Sequence, residues 1–197
     1  MAKRLFDIIF SFLGLILVLP LFLLLAVLIK RESPGPVFYR GIRIGKGGRL
    51  FRIFKFRSMV KNAEELGGPS TAGDDPRLTK IGKFLKKYQL DELPQLINVL
   101  RGEMSLVGPR PEIKMYVEMM TNEERNVILS IKPGMTDLAS LWNFHESEVL
   151  KGSPDPEKTY QEKIRPQKIK LQLEYVKNRS FLLDLKIIIK TVLKIFQ

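Results

Sequence analysis

The feature that most constrains this chain is a run of 22 residues, Ile8 to Ile29, that contains no charged side chain. As an α-helix the run would be about 33 Å long, which is enough to cross the hydrocarbon core of a bilayer. A signal peptide has a shorter apolar region and a cleavage site of small residues, whereas Lys30-Arg31 follows here. The run therefore predicts membrane association.

Basic residues flank the apolar run on both sides, with Lys3-Arg4 before it and Lys30-Arg31 after it. A spanning helix usually has more positive charge at its cytoplasmic end, so equal flanks favour two ends on the same side. Pro20 lies near the middle, where it predicts a kink or a break. The residues alone leave two arrangements open, a Pro-kinked spanning helix and a re-entrant helix that enters one leaflet and returns.

The chain is strongly basic, with 33 Lys and Arg against 21 Asp and Glu and a net charge of +12. This excess indicates an anionic partner: nucleic acid, an acidic membrane surface or a phosphorylated substrate. Because the chain has no cysteine and one histidine, disulfides, thiolate nucleophiles and a multi-histidine metal site are excluded. The chemistry that remains is that of carboxylates, phosphates and basic side chains.

Two short runs rich in β-branched and aromatic residues, 37–44 and 50–59, are separated by a glycine loop and predict a β-hairpin. Seven basic residues and no acidic one occur between residues 37 and 57. They are Arg40, Arg43, Lys46, Arg49, Arg52, Lys55 and Arg57. They fit a basic face beside anionic lipid as well as a cradle for phosphate groups.

A pair of carboxylates, Asp91-Glu92, follows a short amphipathic segment over residues 81–88. Pro94 suits a first helical turn and Gly102 suits a helix end, so the pair is predicted to lie at a helix N-terminus. There the carboxylates can cap free N–H groups and complement the helix dipole. Capping and catalysis both remain open for this pair.

Arg110 lies between Pro109 and Pro111, in a stiff turn that fixes the direction of its guanidinium. Arginine suits bidentate recognition of phosphate, although a surface arginine in a proline-rich turn is an alternative. The single histidine, His145, carries no functional prediction.

The C-terminal residues 181–197 are mostly apolar, and after Asp184 their charged side chains are Lys186, Lys190 and Lys194, each four residues apart. This spacing puts the lysines on one stripe of an amphipathic helix. Such a helix can lie in the membrane interface or pack against a core, and both alternatives stay open.

Taken together, these strings resemble the monotopic phosphoglycosyl transferases, the bacterial sugar transferase family that begins lipid-linked glycan assembly. The matching strings are PGPVFYRGIRIGKGGRLFRIFKFRSM (residues 34–59), DPRLTKIGKFLKK (75–87), LDELPQLINVLRGEMSLVGPRP (90–111) and YVKNRSFLLDLKIIIKT (175–191). The resemblance implies a mainly helical α+β protein on the cytoplasmic face of a bacterial inner membrane. Residues 1–32 would form the re-entrant anchoring helix, and residues 33–197 the catalytic domain, including an interfacial C-terminal helix.

The resemblance also implies transfer of a sugar 1-phosphate from a nucleoside diphosphate sugar, usually a UDP-sugar, to polyprenol phosphate, with Mg²⁺. On this basis Asp91 is the nucleophile that carries the phosphosugar and a ligand of the metal. Glu92 is expected to orient the metal or to assist proton transfer. The residues expected to bind the substrate phosphates are Lys55, Arg57, Lys86 and Arg110.

The chain departs from the family's pattern at three places. Lys86 stands where an arginine is common, residues 137–140 (Asp-Leu-Ala-Ser) replace a Gly-Trp-Ala-Gln stretch, and Gln172 replaces an acidic residue. The second of these regions is expected to touch the sugar or the nucleotide, so specificity does not carry over from the family.

Two other functions stay open. One is a membrane-anchored scaffold with an inactive site. The other is a membrane-tethered nucleic-acid binder, which only the net charge suggests; no nucleic-acid motif occurs, so we expect no nucleic-acid partner. Membrane lipid is an expected partner, and the formation of a homodimer is left open.

Overall fold

A computed structural model describes residues 2–195. Within them the fold is mainly helical with three small two-stranded sheets, which confirms the predicted α+β class. The helices are α1 (Ala2–Glu32), α2 (Ala63–Leu66), α3 (Lys80–Lys87), α4 (Gln95–Arg101), α5 (Lys114–Glu118), α6 (Asn122–Ile128), α7 (Leu138–Trp142), α8 (Glu146–Val149), α9 (Pro156–Thr159), α10 (Arg165–Asn178) and α11 (Phe181–Ile195). The strands are β1 (Phe38–Tyr39), β2 (Ile42–Ile44), β3 (Leu50–Arg52), β4 (Lys55–Phe56), β5 (Ser105–Val107) and β6 (Gly134–Thr136).

The apolar run forms a single helix, α1, and Pro20 lies inside it without ending it. Of the kink or break predicted at Pro20, the structure therefore has no break, and the re-entrant arrangement stays a prediction. Proline removes one backbone donor, but its fixed φ is helical, and the residues around Pro20 are mostly leucines, which favour helix. Among the described residues, α1 is the one helix long and apolar enough to cross a membrane.

One face of α1 packs on the rest of the protein along its length. Near its start, Asp7 accepts hydrogen bonds from Ser105 Oγ (3.2 Å) and the backbone N–H of Leu106 (3.1 Å). Near its end it contributes to a buried apolar cluster of Phe22, Leu25, Ile29, Phe56 and Leu85. The opposite face exposes Leu5, Ile8, Ile9, Phe10, Phe12, Leu13, Ile16, Leu17, Leu19, Leu23, Leu24 and Val27. So large an exposed apolar surface is typical of a membrane contact.

Both ends of α1 contact the same body of the protein. At the first turn, Lys3 forms an ion pair with Asp184 of α11. At the last turn, Glu32 accepts hydrogen bonds from the N–H groups of Lys80 (2.6 Å) and Ile81 (3.0 Å), the first residues of α3. The helix is therefore fixed at both ends, although it is about 46 Å long at 31 residues. The division of the chain at residue 32 stays a prediction, since α1 shares a core with the hairpin and with α3.

The predicted hairpin is confirmed as two short antiparallel ladders, β1 with β4 and β2 with β3. Its loop requires glycine, because Gly47 and Gly48 have φ of 65° and 78°, in the left-handed region. The N–H of Gly47 donates to the carbonyl of Leu129 (2.8 Å), which holds the loop against the body.

A parallel pair, β5 with β6, joins the turn around Arg110 to the turn before α7. The two segments approach so closely that Gly134 has no room for a side chain. A Cβ on Gly134 would lie 2.0 Å from the nitrogen of Gly108. The C-terminal helices pack over the pair, with Tyr175 of α10 and Ile187 of α11 buried there.

The outer face of α11 exposes several large apolar side chains beside the exposed Lys186 and Lys190. Its inner face contributes Ile187 to the core. The helix thus combines the packing of a core helix with an outer face suited to a membrane interface.

Candidate functional site

A cavity of about 210 Å³ lies where the hairpin, the end of α3, the turn before α4 and the turn at Arg110 meet. Five of the six site residues predicted from the sequence line it. They are Lys55, Lys86, Asp91, Glu92 and Arg110. Because these side chains come from four separate segments, the fold assembles them into one polar site.

The carboxylate pair lies in a 3₁₀ turn, Leu90–Glu92, that precedes α4. Gln89 enters this turn with a left-handed φ of 53°. Neither the turn nor α4 has a capping hydrogen bond from a side chain, and Pro94 holds the N-cap position of α4. The pair thus lies one turn before the helix, and capping does not account for it.

Glu92 is held by two cations. Lys55 Nζ donates to Glu92 Oε1 at 2.8 Å, and Arg110 Nη2 forms an ion pair with the same oxygen. All three side chains are mostly buried. Ion pairs in such surroundings fix the side chains of both partners in one geometry. Glu92 therefore positions Lys55 and Arg110 on one side of the cavity.

Asp91, in contrast to Glu92, has no hydrogen-bonded cation among the described residues. It is 4% exposed, and its carboxylate accepts no hydrogen bond and forms no ion pair with any other residue among those described. It is close enough to Lys55 for its charge to raise the pKa of that amine. A carboxylate beside cations, with its oxygens facing a cavity, can act as a nucleophile or bind a metal.

The pKa of Lys55 is nevertheless lowered well below its ordinary value. Burial is the largest cause, followed by the positive charges of Arg110, Lys86 and Arg43, against which Asp91 acts. The cations around the carboxylate pair therefore outnumber the two carboxylates. A site with this excess of buried positive charge suits a polyanion such as a diphosphate.

Arg57 is not part of this cavity. Its guanidinium donates to the carbonyls of Ser33 (2.7 Å) and Pro34 (2.7 Å), and to Ser33 Oγ (2.9 Å). These carbonyls follow the end of α1, where backbone acceptors have no helical partner. Arg57 thus joins α1 to the hairpin outside this cavity, and its binding of a substrate phosphate stays a prediction that these contacts do not support.

Gln95 is a site residue that the sequence argument missed. It lies four residues after Asp91, is 1% exposed, and lines the cavity. Its amide nitrogen has no acceptor among the described residues, which is rare for a buried polar atom. The signal was present in the sequence, because residues four apart at a helix start share a face.

The opposite wall of the cavity is built from residues far apart in the chain. Tyr116 OH donates to Glu157 (2.8 Å), and Tyr160 OH accepts from Lys168 Nζ (3.0 Å). Burial raises the pKa of both phenols, that of Tyr160 to about 12, so both stay neutral near pH 7. Lys168 also pairs with Glu112 at 2.7 Å. This wall thus offers hydroxyl groups and a balanced ion pair.

The residues that depart from the family's pattern lie in different parts of the structure. Lys86 lines the cavity. Asp137 is fully buried, lines no part of the cavity, and accepts a hydrogen bond from Gln172 Nε2 at 3.3 Å. Ala139 and Ser140 line a smaller cavity of about 70 Å³ that shares Arg110 with the first. Asp137 thus lies apart from both cavities, while contact of this region with the substrate stays a prediction.

The carboxylates of the site can contribute only some of the ligands that a Mg²⁺ ion needs. In the range 2–195 no group of three or more His, Asp or Glu side chains could hold a metal ion by itself. Magnesium in phosphate-transfer sites is usually held by one or two carboxylates, with the remaining ligands supplied by water and substrate phosphates. The Asp91-Glu92 pair fits that second arrangement.

Comparison with known proteins identifies the family of the chain. The family model described as bacterial sugar transferase matches residues 1–197. The chain is 40% identical over 195 residues to the UDP-N-acetylgalactosamine-undecaprenyl-phosphate N-acetylgalactosaminephosphotransferase of Aeromonas hydrophila, covering 96% of this chain and 42% of that protein.

Two further relatives are shorter proteins. The putative undecaprenyl-phosphate N-acetylgalactosaminyl 1-phosphate transferase of Bacillus subtilis is 46% identical over 121 residues, 61% of this chain and 68% of that protein. The exopolysaccharide production protein ExoY of Sinorhizobium fredii is 36% identical over 206 residues, 97% of this chain and 84% of that protein. The chain thus spans less than half of the Aeromonas relative and most of the Sinorhizobium one.

Proposed function

Because the chain belongs to the bacterial sugar transferase family, we propose that it transfers a sugar 1-phosphate from a nucleoside diphosphate sugar to polyprenol phosphate. The relatives named for undecaprenyl phosphate support the lipid acceptor, and the Aeromonas name supports a UDP-sugar donor. The observation that carries the proposal is the contrast within the carboxylate pair. Asp91 is buried, faces the cavity and has no partner within residues 2–195, while Glu92 holds two of the surrounding cations.

In the proposed first step, an oxygen of Asp91 attacks the β-phosphorus of the donor. The bond between that phosphorus and the bridging oxygen breaks, and the nucleoside monophosphate leaves with the electron pair. The sugar phosphate stays on Asp91 as an acyl phosphate, an established form of covalent catalysis. In the second step, a phosphate oxygen of the polyprenol phosphate attacks the same phosphorus and frees Asp91.

The cations around the pair stabilise the charge that moves between these oxygens. Arg110 presents a planar fork suited to phosphate oxygens, and Lys55 and Lys86 add point charges on the same cavity. Glu92 keeps Lys55 and Arg110 in place between the two steps. Such preorganised charges are usually the largest contribution to catalysis of group transfer.

Gln95 supplies a neutral donor. Its unpartnered amide lies in the cavity one helical turn from Asp91, where it can donate to an oxygen of the phosphoryl group that Asp91 carries. Magnesium, held by Asp91 and Glu92 together with the donor's phosphates, would neutralise part of the diphosphate charge.

The contacts of α1 support a site at one face of the membrane. A helix that crossed the bilayer would carry Lys3 and Glu32 to opposite sides, whereas both are bound to the same body. We therefore place both ends on the cytoplasmic face of the bacterial inner membrane, with the exposed apolar face of α1 in lipid.

Release of UMP from a panel of UDP-sugars by the detergent-purified protein, with polyprenol phosphate, tests the proposal. Wild-type protein is expected to release UMP from at least one donor, and the Arg110→Lys variant, which keeps the charge but loses the fork, should be much slower. Absence of UMP release from every nucleotide sugar would favour an inactive scaffold. DNA binding that weakens with salt, without transfer, would favour the nucleic-acid binder.

A further inference from the structure

We propose that Asp137 is a positioning residue for the transfer: it fixes the backbone of Arg110 and acts through the Arg110 side chain. The inference rests on the proposed function for its kinetic consequence, but its structural part stands on contacts alone. Asp137 is fully buried and lines neither the cavity at the carboxylate pair nor the smaller one beside it, so the role we infer for it is one of positioning.

The turn at Arg110 is held by three successive hydrogen bonds to the segment that contains β6. The N–H of Gly108 donates to the carbonyl of Thr136 (3.0 Å), and the N–H of Gly134 donates to the carbonyl of Pro109 (3.0 Å). The third bond differs, because the N–H of Arg110 donates to the side chain of Asp137, at Oδ2 (3.3 Å). The carboxylate thus extends the parallel ladder by one bond.

The third bond is made by the side chain of Asp137 and not by its backbone. The backbone carbonyl of Asp137 already accepts from the N–H of Leu141 (3.1 Å) in the first turn of α7. On the other side, Pro109 and Pro111 have no N–H, so Arg110 carries the only backbone donor between Pro109 and Pro111. The Asp137 carboxylate therefore holds this proline-flanked segment at its one backbone donor.

The two carboxylate oxygens of Asp137 bind different partners. Oδ1 accepts from the N–H (2.7 Å) and the hydroxyl (2.8 Å) of Ser140, so Asp137 caps the start of α7. Oδ2 accepts from Arg110 and from Gln172 Nε2 (3.3 Å). A carboxylate can accept at both oxygens, whereas an amide or a hydroxyl offers one acceptor atom. The cap and the anchor of Arg110 together therefore require Asp.

The guanidinium of Arg110 lies at the end of a long side chain and pairs with Glu92 beside Asp91. A shift of the turn moves that group by a similar distance, and a displacement of about 1 Å can cost about 100-fold in rate. Fixing the backbone of Arg110 is thus a means of fixing the charge that meets the phosphate.

Two variants separate the anchor from the cap. Asp137→Asn and Asp137→Ser both keep an oxygen that can cap α7, because Asn and Ser are good N-cap residues. Neither can serve Ser140 and Arg110 together. We expect kcat/KM for the nucleotide sugar to fall about 10–100-fold in each variant, with little change in the temperature of unfolding. Thr121→Ala, which removes the cap of α6, is the matched control and should leave activity unchanged.

Hydrogen exchange gives a readout that does not depend on activity. Between Gly108 and Glu112, Arg110 has the only backbone amide hydrogen, so a peptide across this turn reports its protection directly. We expect slow exchange in the wild type and fast exchange in both Asp137 variants. A kinetic cycle with Arg110→Lys should be non-additive, because Asp137 acts through the group that this change removes.

Unchanged exchange at Arg110, near-normal kcat/KM in either Asp137 variant, or losses that add to that of Arg110→Lys would overturn the positioning role. A wild-type protein that releases no UMP from any donor would contradict the proposed function instead. In that case the exchange measurement alone still decides whether Asp137 holds Arg110.

Discussion

Asp91 and Glu92 are adjacent in the chain, yet only Glu92 has cationic partners. Lys55 and Arg110 meet on one oxygen of Glu92, while the carboxylate of Asp91 faces the cavity without a partner among the described residues. Two neighbouring carboxyl groups thus have different environments, and different roles follow from them.

The first prediction compares stability and activity at this pair. Asp91→Asn removes the attacking charge, so UMP release should fall to background, while the free energy of unfolding changes little because no ion pair is lost. Glu92→Gln leaves two buried cations without their counter-charge, which should lower that free energy by about 1–3 kcal/mol. Thermal unfolding in one detergent and intact-mass detection of a phosphosugar on Asp91 measure both effects. Robust activity in Asp91→Asn would contradict the mechanism.

A second prediction concerns Gln95. Gln95→Met keeps the volume of the side chain and removes its donor, so kcat should fall about 100-fold, as for loss of one donor to a reacting oxygen. Gln95→Glu should be at least as slow, because it adds a negative charge beside the phosphoryl group. If the Met variant has the kcat of the wild type, Gln95 only fills space.

A third prediction uses the lowered pKa of Lys55. A lowered pKa means that the amine loses its proton at a lower pH than an ordinary lysine does, so its charge is lost as pH rises. Activity should therefore decline on the alkaline side below the pH at which a free lysine titrates. Lys55→Arg keeps its charge throughout, so the alkaline limb of its pH–rate profile should move to higher pH. An alkaline limb at the same pH in both proteins would assign it to another group.

Lys86 offers a fourth test, with a control on the same helix. Lys86→Met removes a cation from the cavity, whereas Lys83→Met removes one from an exposed position of α3. The first change should raise KM for the nucleotide sugar more than about 10-fold, and the effect should shrink in high salt. The second should change KM little. Equal effects would mean that Lys86 acts only through the overall charge of the surface.

The fifth prediction concerns magnesium. Because the carboxylate pair is surrounded by cations and the described residues offer no cage of three ligands, Mg²⁺ alone should not raise the temperature of unfolding. Mg²⁺ added with a nucleoside diphosphate should raise it, and EDTA should abolish transfer. Strong stabilisation by Mg²⁺ alone, measured in the absence of nucleotide, would indicate a resident metal site.

The local patterns of the sequence predicted local structure well. The apolar run became a helix, the two β-rich runs became the hairpin, and Gly102 ends α4 with a left-handed φ of 81°. The family that these strings resemble is confirmed. Each of these features depends on residues close together in the chain, whose periodicity and turn preferences are visible in the sequence.

The parts that the sequence did not predict depend on distant contacts. Lys55 and Arg57 have the same charge and lie two residues apart, yet one faces the cavity and the other the end of α1. The parallel pair β5–β6 joins segments about thirty residues apart, and Asp137 reaches Arg110 only through that pairing. No local pattern distinguishes such alternatives, because tertiary packing decides them.

The attachment of α1 at both ends has a consequence for how the protein can be divided. An ordinary membrane tether is modular: it can be exchanged for another anchor, or removed to give a soluble enzyme. Here the helix supplies Phe22, Leu25 and Ile29 to a core that also contains Leu85 of α3, the helix that carries Lys86. Its last residue, Glu32, also caps that helix. Exchanging α1 for a foreign anchor would therefore remove part of the core that supports α3 and Lys86, so this helix cannot be treated as a separable module.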